Sequence, residues 1–164
     1  SLIRKSAPDA VIDIHRDAVP PEQYKTEVKG QPVTKIKLVV GRTNPNMKTN
    51  LEFAKKMKSV MDQKKPGLSN GIYMGKGDYN QDLSPRAMLV EVGAHTNSKE
   101  EAEKGIKLLA DTMPTVLGAN VSGGAAKKPL TDNQGSGTVI IVMLVVVIAG
   151  AGGYYWLNRG SSRQ

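Results

Sequence analysis

Residues 10–18 read Ala-Val-Ile-Asp-Ile-His-Arg-Asp-Ala, an apolar run that ends in a histidine flanked by charged residues. The β-branched residues at its start predict a buried strand over residues 11–14. In open α/β sheets, functional side chains gather beyond the carboxyl ends of the strands, where the backbone turns. His15 lies at such an end and is therefore a candidate functional residue. The alternative interpretation is a surface histidine with ordinary hydrogen bonds.

Other short apolar runs indicate three further strands, over residues 36–40, 71–74 and 88–92. Residues 17–35 are polar, contain Pro20 and Pro21, and are interpreted as a surface excursion or an edge hairpin.

Two helices alternate with these strands. Apolar residues at spacings of three and four predict an amphipathic helix over residues 46–65, which Pro66 and Gly67 end. Ser98 and Glu101 form a capping box at the start of a second helix, whose apolar face continues to residue 113. Strands alternating with helices predict an α/β fold with an open, mostly parallel sheet flanked by helices.

The end of the chain has a different composition. Residues 138–157 carry no charge and have the length of a membrane-spanning helix, with Tyr154, Tyr155 and Trp156 at its end. Residues 118–137, rich in Gly, Ala, Ser and Asn, predict a flexible tether, and residues 158–164 a short basic tail. We expect a single-pass protein with its folded domain outside the cell.

The charge balance favours acidic partners. The 164 residues include 23 Lys and Arg against 15 Asp and Glu, which gives a formal net charge of +8. Only one Phe and one Trp are available to stack on bases, so we expect no nucleic-acid partner. The chain has no cysteine, and any metal ion must be held by His and carboxylate side chains.

Glu91 ends a second predicted strand, just before Gly93. A histidine and a glutamate from two strand ends are the side chains that a hydrolytic zinc site needs, one as a ligand and one as a base. His95 is either a second ligand or a hydrogen-bonding loop residue, and we prefer the loop residue.

Several polar residues are candidates for a substrate cleft. Tyr79, Asn80 and Gln81 lie in a polar loop over residues 71–85, which is either part of a cleft or a structural turn. Arg16, His95 and Asn97 are further candidates because they neighbour the two strand ends.

Three stretches carry a family resemblance: "VIDIHRDAVP", "VVGRTNPNMKTNLEFAKKM" and "PGLSNGIYMGKGDYNQDLSPRAMLVEVGAHTNSKEEAE". Together they resemble the stage II sporulation protein P family. These are peptidoglycan hydrolases of endospore-forming bacteria, related to the zinc-dependent N-acetylmuramoyl-L-alanine amidases. The resemblance covers residues 1–113 and implies an amidase-like catalytic fold.

The resemblance also implies roles for individual residues. His15 corresponds to the last histidine ligand of a zinc ion, and Glu91 to the carboxylate that activates the metal-bound water. The implied substrate is peptidoglycan, cut at the muramoyl-L-alanine amide and at stem-peptide cross-links during engulfment. The implied partner is stage II sporulation protein D, and the implied location is the membrane of the sporulation septum.

The chain departs from the family pattern in two ways. No residue matches the family's first two zinc ligands, a histidine and a glutamate upstream of the histidine that His15 matches. We therefore expect residues 1–117 to be the C-terminal portion of the catalytic domain. The family is anchored near its N-terminus, whereas here the apolar segment follows the domain. The alternative function is a truncated, non-catalytic, membrane-tethered module that binds cell wall or a partner protein.

Overall fold

The computed structural model describes residues 6–118 and 141–145. Its central sheet contains five strands, which are β1 (Ala10–Asp17), β4 (Ile36–Gly41), β5 (Ser69–Gly75), β6 (Ala87–Ala94) and β7 (Ile141–Val145). They lie in the order β5-β4-β6-β1-β7. A separate hairpin pairs β2 (Lys25–Val28) with β3 (Gln31–Thr34).

The sheet is mostly parallel, which confirms the predicted α/β class. Strand β1 runs parallel to both β6 and β7, and β4 runs parallel to β5. The exception is the central pair, because β4 is antiparallel to β6. Along the strand direction, the carboxyl ends of β4 and β5 therefore lie at the opposite end of the sheet from the carboxyl ends of β1 and β6.

Two helices pack against each other and against the sheet: α1 (Met47–Lys64) and α2 (Lys99–Leu117). Their buried residues and alternate residues of the strands form one apolar cluster, which includes Ile12, Ile36, Leu38, Met57, Met61, Val90, Val92 and Leu109. The predicted cap of α2 is present, since Ser98 Oγ accepts a hydrogen bond from Glu101 N at 3.4 Å. Helix α2 continues beyond the predicted residue 113 and ends at Gly118, whose φ of 85° suits a left-handed cap.

The polar stretch 17–35 forms the hairpin, preceded by a 3-10 turn at Pro21–Gln23. Lys29 and Gly30 make its tip, with φ values of 53° and 73°. Two successive residues with positive φ are typical of the tight turn that joins twisted antiparallel strands. The hairpin contacts α2 through β3 and ends at the fully buried Thr34.

Replacing Gly105 with alanine should destabilise the protein, although alanine is usually the better helix former by about 1 kcal/mol. A Cβ atom at position 105 would lie 2.7 Å from the backbone oxygen of Thr34, because α2 and the hairpin are in direct contact there. We expect a loss of about 1–3 kcal/mol in the free energy of unfolding, measured by urea denaturation. The control is Ser59→Ala, an exposed site in α1 where the change should be within about 0.5 kcal/mol. A stabilised Gly105→Ala variant would contradict this packing.

The predicted membrane-spanning helix is not observed where the structure describes that segment. Residues 141–145 form β7 and pair with residues 10–14 of β1, whereas a helix was expected. Valine and isoleucine favour strands, and the edge of β1 offers backbone groups to pair with. The rest of residues 138–157, the predicted tail, and the predicted tether beyond Gly118 lie outside the described residues. No helix in the described part of the chain has both the length and the apolar content needed to cross a bilayer.

Candidate functional site

A row of polar side chains lies on the sheet face opposite the helices. His15 of β1 is in register with Glu91 of β6, and Glu91 is in register with Lys37 of β4. Residues in register on neighbouring strands project to the same face, and so does Asp13, two residues before His15. The structure therefore brings together His15 and Glu91, the two residues that the sequence singled out.

The imidazole of His15 lies against the carboxylate of Asp13. His15 Nε2 is 3.1 Å from Asp13 Oδ2, and both side chains are 24% exposed. The contact is close enough for an ion pair, but within the described part of the chain His15 Nε2 is a buried atom without a hydrogen-bond partner. The two atoms are therefore adjacent without the alignment of a hydrogen bond.

The carboxylate of Glu91 is half-buried. Its Oε2 atom has no hydrogen-bond partner among the described residues. Burial, and next the nearby charge of Asp17, raise the pKa of Glu91 above its ordinary value. The charges of His15 and Lys37 act in the opposite direction and do not cancel the rise. A carboxylate in this environment takes up a proton more readily than one in water.

Asp17, Lys37 and Tyr24 form a bonded group beside Glu91. Asp17 Oδ2 accepts hydrogen bonds from Lys37 Nζ at 2.6 Å and from Tyr24 Oη at 2.8 Å. The Lys37 ammonium also lies 4.9 Å from the centre of the Tyr24 ring. Burial alone would raise the pKa of Asp17, but the bonds from Lys37 and Tyr24 outweigh burial and lower it. Asp17 is thus held as a carboxylate whose charge Lys37 balances.

Arg16, His95 and Asn97 lie at the same end of the sheet as His15 and Glu91. Arg16 Nε donates to the Ala94 oxygen at 3.1 Å, and Asn97 Oδ1 accepts from Ala94 N at 2.7 Å. The backbone N–H of His95 donates to the Asp17 oxygen at 2.9 Å. These bonds hold the turn after β6 against the end of β1. Contact of these three residues with a substrate stays a prediction.

Tyr79, Asn80 and Gln81 lie in the loop between β5 and β6, towards the far end of β4. Gln81 is buried, and its side chain accepts from Gly41 N at 2.9 Å and donates to the Val39 oxygen at 2.7 Å. Gly41 is about 13 Å along β4 from Lys37, at about 3.3 Å per residue. The hydrogen bonds of Gln81 thus hold this loop against β4. The structure does not bring Tyr79, Asn80 and Gln81 close to His15 and Glu91. The antiparallel direction of β4 is the reason.

Four residues of this site were not singled out in the sequence: Asp13, Asp17, Tyr24 and Lys37. A signal for two of them was present, because Asp13, His15 and Asp17 alternate along a strand that also carries buried Ile12. Alternation of this kind places polar side chains on one face. Tyr24 and Lys37 gave no such signal, since their contacts depend on how the hairpin folds back.

The side chains of this site carry the kinds of donor atom that a divalent metal ion binds, but there are too few of them to hold one. Zinc takes imidazole nitrogen and carboxylate oxygen, and the buried atoms of Asp13, His15 and Glu91 that find no hydrogen-bond partner among the described residues are of these kinds. Among residues 6–118, however, no three His, Asp or Glu side chains are arranged to hold one ion. The described residues therefore do not form a complete set of zinc ligands.

The family model for stage II sporulation protein P matches residues 2–114. The chain belongs to this family. A stage II sporulation protein P from Bacillus subtilis (strain 168) is 32% identical to it over an alignment of 127 residues, and the match covers 72% of this chain and 32% of the relative. This member of the family thus spans about a third of the length of that curated relative.

Two solved structures share the fold. One is the N-acetylmuramyl-L-alanine amidase Ami1 from Mycobacterium smegmatis, with a TM-score of 0.51 and 18% identity over 73% of this chain and 58% of that one. The other is the apo form of Ami1 from Mycobacterium abscessus, with a TM-score of 0.50 and 20% identity over 71% of this chain and 58% of that one. The predicted amidase-like architecture of this stage II sporulation protein P family member is thus confirmed at the level of fold.

Proposed function

We propose that this protein hydrolyses peptidoglycan with the help of zinc, at the N-acetylmuramoyl-L-alanine amide and at stem-peptide cross-links during engulfment. The observation that carries the proposal is the adjacency of His15 and Glu91, whose buried Nε2 and Oε2 atoms have no hydrogen-bond partner among the residues that the structure describes. Family membership and the amidase-like fold support a peptidoglycan-related hydrolase role.

Glu91 is the group that moves the proton in this proposal. A water oxygen attacks the amide carbonyl carbon, Glu91 accepts the water proton and passes it to the departing nitrogen of L-alanine, and the carbon–nitrogen bond breaks. A raised pKa suits both halves of this transfer. A zinc ion, when bound with His15 as one of its ligands, would supply polarisation of the scissile carbonyl. Asp17 does not compete for the proton, because Lys37 and Tyr24 keep its carboxylate engaged.

The test is hydrolysis of purified cell wall. Incubation with zinc should release soluble stem peptides that carry a free L-alanine amino group, identified by mass spectrometry. A chelator should stop the release, and added zinc should restore it, because the carbonyl would otherwise react without its polarising group. Release that continues at the full rate in the chelator would contradict zinc dependence.

The second candidate function is a non-catalytic module that binds cell wall. The lack of a three-residue ligand set within residues 6–118 favours it. Sedimentation of the protein with cell wall, without any peptide release in zinc, would establish this function and exclude the first.

The cellular setting belongs to the same proposal. We place the protein at the membrane of the sporulation septum, on the extracytoplasmic side, with stage II sporulation protein D as a partner. Membership of the sporulation family supports this placement. Septal fluorescence of a tagged protein that disappears without that partner is the expected result, and uniform fluorescence would contradict it.

A further inference from the structure

Two tyrosines lie on the sheet face that carries Glu91, and the mechanism above uses neither of them. The first is Tyr73 of β5, which is in register with Val39 of β4. Its neighbours Ile72 and Met74 pack against the core, so Tyr73 projects to the face opposite the helices. Tyr73 is 57% exposed, and its ring is therefore presented to solvent on the same face as the candidate site.

Glycines on β5 keep the surface around Tyr73 low. A Cβ atom at Gly71 would meet nothing within 4 Å beyond its chain neighbours, so there is open space two residues before Tyr73. Two residues after it, the ring of Tyr79 lies directly on Gly75, because a Cβ atom at Gly75 would be only 2.7 Å from Tyr79 Cε2. Same-face positions of a strand are about 7 Å apart, so the two rings occupy neighbouring positions on this face.

The loop after β5 is bent so that Tyr79 lies over the sheet. Tyr79 and Asn80 both have a φ of 54°, in the left-handed region that asparagine adopts readily and a bulky tyrosine seldom does. The hydrogen bonds of Gln81 fix this loop against β4. The loop also approaches β4 closely, since a Cβ atom at Gly41 would lie 2.8 Å from the Asp78 oxygen. An unusual backbone conformation that its surroundings enforce points to a function for the side chain it carries.

The two rings lie beside the candidate site. Glu91 is in register with Lys37 of β4, and Tyr73 is in register with Val39 of the same strand. Glu91 and Tyr73 are therefore two strands and one same-face position apart, which places their Cα atoms about 12 Å from each other. A single sugar or amino acid bound at Glu91 would not reach Tyr73, whereas a polymer that occupies the site can extend over both tyrosines.

The chemistry of the two rings suits a sugar. A tyrosine ring is flat and apolar and carries a hydroxyl at its rim. A pyranose ring matches it, with C–H groups on one face and hydroxyls at its edge. A protein partner would need a much larger apolar surface, and among the described residues the exposed large apolar side chains are Tyr73 and Leu83.

The charges at the end of β4 and β5 favour an anionic polymer. Arg42 and Lys76 follow these two strands and are exposed. Within the part of the chain that the structure describes, neither forms an ion pair with a carboxylate. A glycan strand with carboxylates on its stem peptides complements them.

We propose that Tyr73 and Tyr79 form a glycan-binding strip, on which sugar rings of the peptidoglycan strand stack while the stem-peptide amide lies at Glu91. The identity of the glycan rests on the proposed function, whereas the strip itself rests on the positions of the two rings. The strip positions the substrate and takes no part in breaking the amide bond.

The test is binding of a soluble N-acetylglucosamine oligosaccharide, measured by calorimetric titration of the full chain. Tyr73→Val keeps a residue that favours strands but removes the ring, and it should weaken binding by at least about tenfold. Tyr73→Phe keeps the ring and should bind within about threefold of the wild type. Lys56→Ala is the control, because this exposed residue of α1 lies on the other side of the sheet, and it should bind as the wild type does.

The second variant concerns the loop. Tyr79→Gly removes the other ring and suits the left-handed backbone, so it should fold normally and weaken oligosaccharide binding by at least about fivefold. A wild type that binds no oligosaccharide, or wild-type affinity in both Tyr73→Val and Tyr79→Gly, would overturn the proposal. Tighter binding of a single-stranded oligonucleotide than of the oligosaccharide, lost in Tyr73→Val, would also overturn it, since bases stack on aromatic rings as well.

Kinetics on cell wall separate the strip from the proposed function. Tyr73→Val should raise the wall concentration needed for half-maximal peptide release and leave the maximal rate unchanged, because the ring acts on binding alone. Oligosaccharide binding that depends on Tyr73, without peptide release by the wild type, would leave the strip standing and remove the enzymatic role. Peptide release by a protein that binds no oligosaccharide would do the reverse.

Discussion

Replacing Glu91 with glutamine should lower the rate of peptide release from cell wall by at least about 10³-fold while leaving the fold intact. Glutamine has nearly the same shape, but its amide cannot accept the proton of the attacking water. No protein hydrogen bond is lost at Oε2, because that atom has no partner within the described residues. The measurement is the initial rate of stem-peptide release, together with a urea denaturation curve for each variant.

The Glu91→Gln variant should be at least as stable as the wild type. Burial and the charge of Asp17 disfavour the ionised carboxylate, and a neutral amide removes that penalty. The urea midpoint should therefore stay the same or rise. The matched control is Glu52→Gln on the exposed side of α1, where Glu52 pairs with Lys55, and it should leave the rate unchanged. A normal rate in Glu91→Gln would exclude Glu91 as the base, and an unfolded variant would give it a structural role.

Replacing Gln81 with alanine should destabilise the protein by about 3–5 kcal/mol. The Gln81 side chain accepts from Gly41 N and donates to the Val39 oxygen, so its removal takes two buried hydrogen bonds away from the backbone of β4. It also leaves a cavity where a fully buried side chain had packed. The measurement is the free energy of unfolding from urea denaturation, with the slope of the transition checked for two-state behaviour.

The control for Gln81 is another glutamine. Gln63→Ala removes only an exposed hydrogen bond to Ser59 and should change the free energy of unfolding by less than about 0.5 kcal/mol. If Gln81→Ala kept wild-type stability but bound cell wall more weakly, Gln81 would instead line the substrate cleft. The pair of variants therefore separates the two interpretations of the loop between β5 and β6.

Local sequence patterns located both long helices and four of the five strands of the central sheet, and they failed at β7, where a helix was expected. The spacing of apolar residues located α1 within a residue or two of its observed ends, and the capping pair at residues 98 and 101 located the start of α2. Helix α2 extends further than predicted, since the chain stays helical through Pro114 as far as Leu117, and Gly118 forms the cap. The spacing of apolar residues shows which residues face the core, but it does not fix the residue at which a helix ends.

The direction of β4 was not predictable from local patterns. Alternating apolar residues identify a strand, but a strand pairs in either direction, and the choice depends on how the hairpin folds back. His15 and Glu91 lie on parallel neighbours, so the rule that strand ends of one direction share one end of the sheet brought them together. The same rule did not show that the loop carrying Gln81 lies towards the other end of β4. The group formed by Asp17, Tyr24 and Lys37 was missed for the same reason, since it depends on the position of the hairpin.

The placement of β1 beside β6 has a consequence for how the protein is made. Arg16 at the end of β1 bonds to Ala94 at the end of β6, which lies 78 positions later in the chain. During synthesis at about 5–20 residues per second, β1 waits several seconds or more for this neighbour. Such long-range pairing slows folding and leaves an apolar strand open to other chains meanwhile. We therefore expect the nascent chain to depend on chaperones until Glu91 has emerged from the ribosome, and only then can the two halves of the site meet.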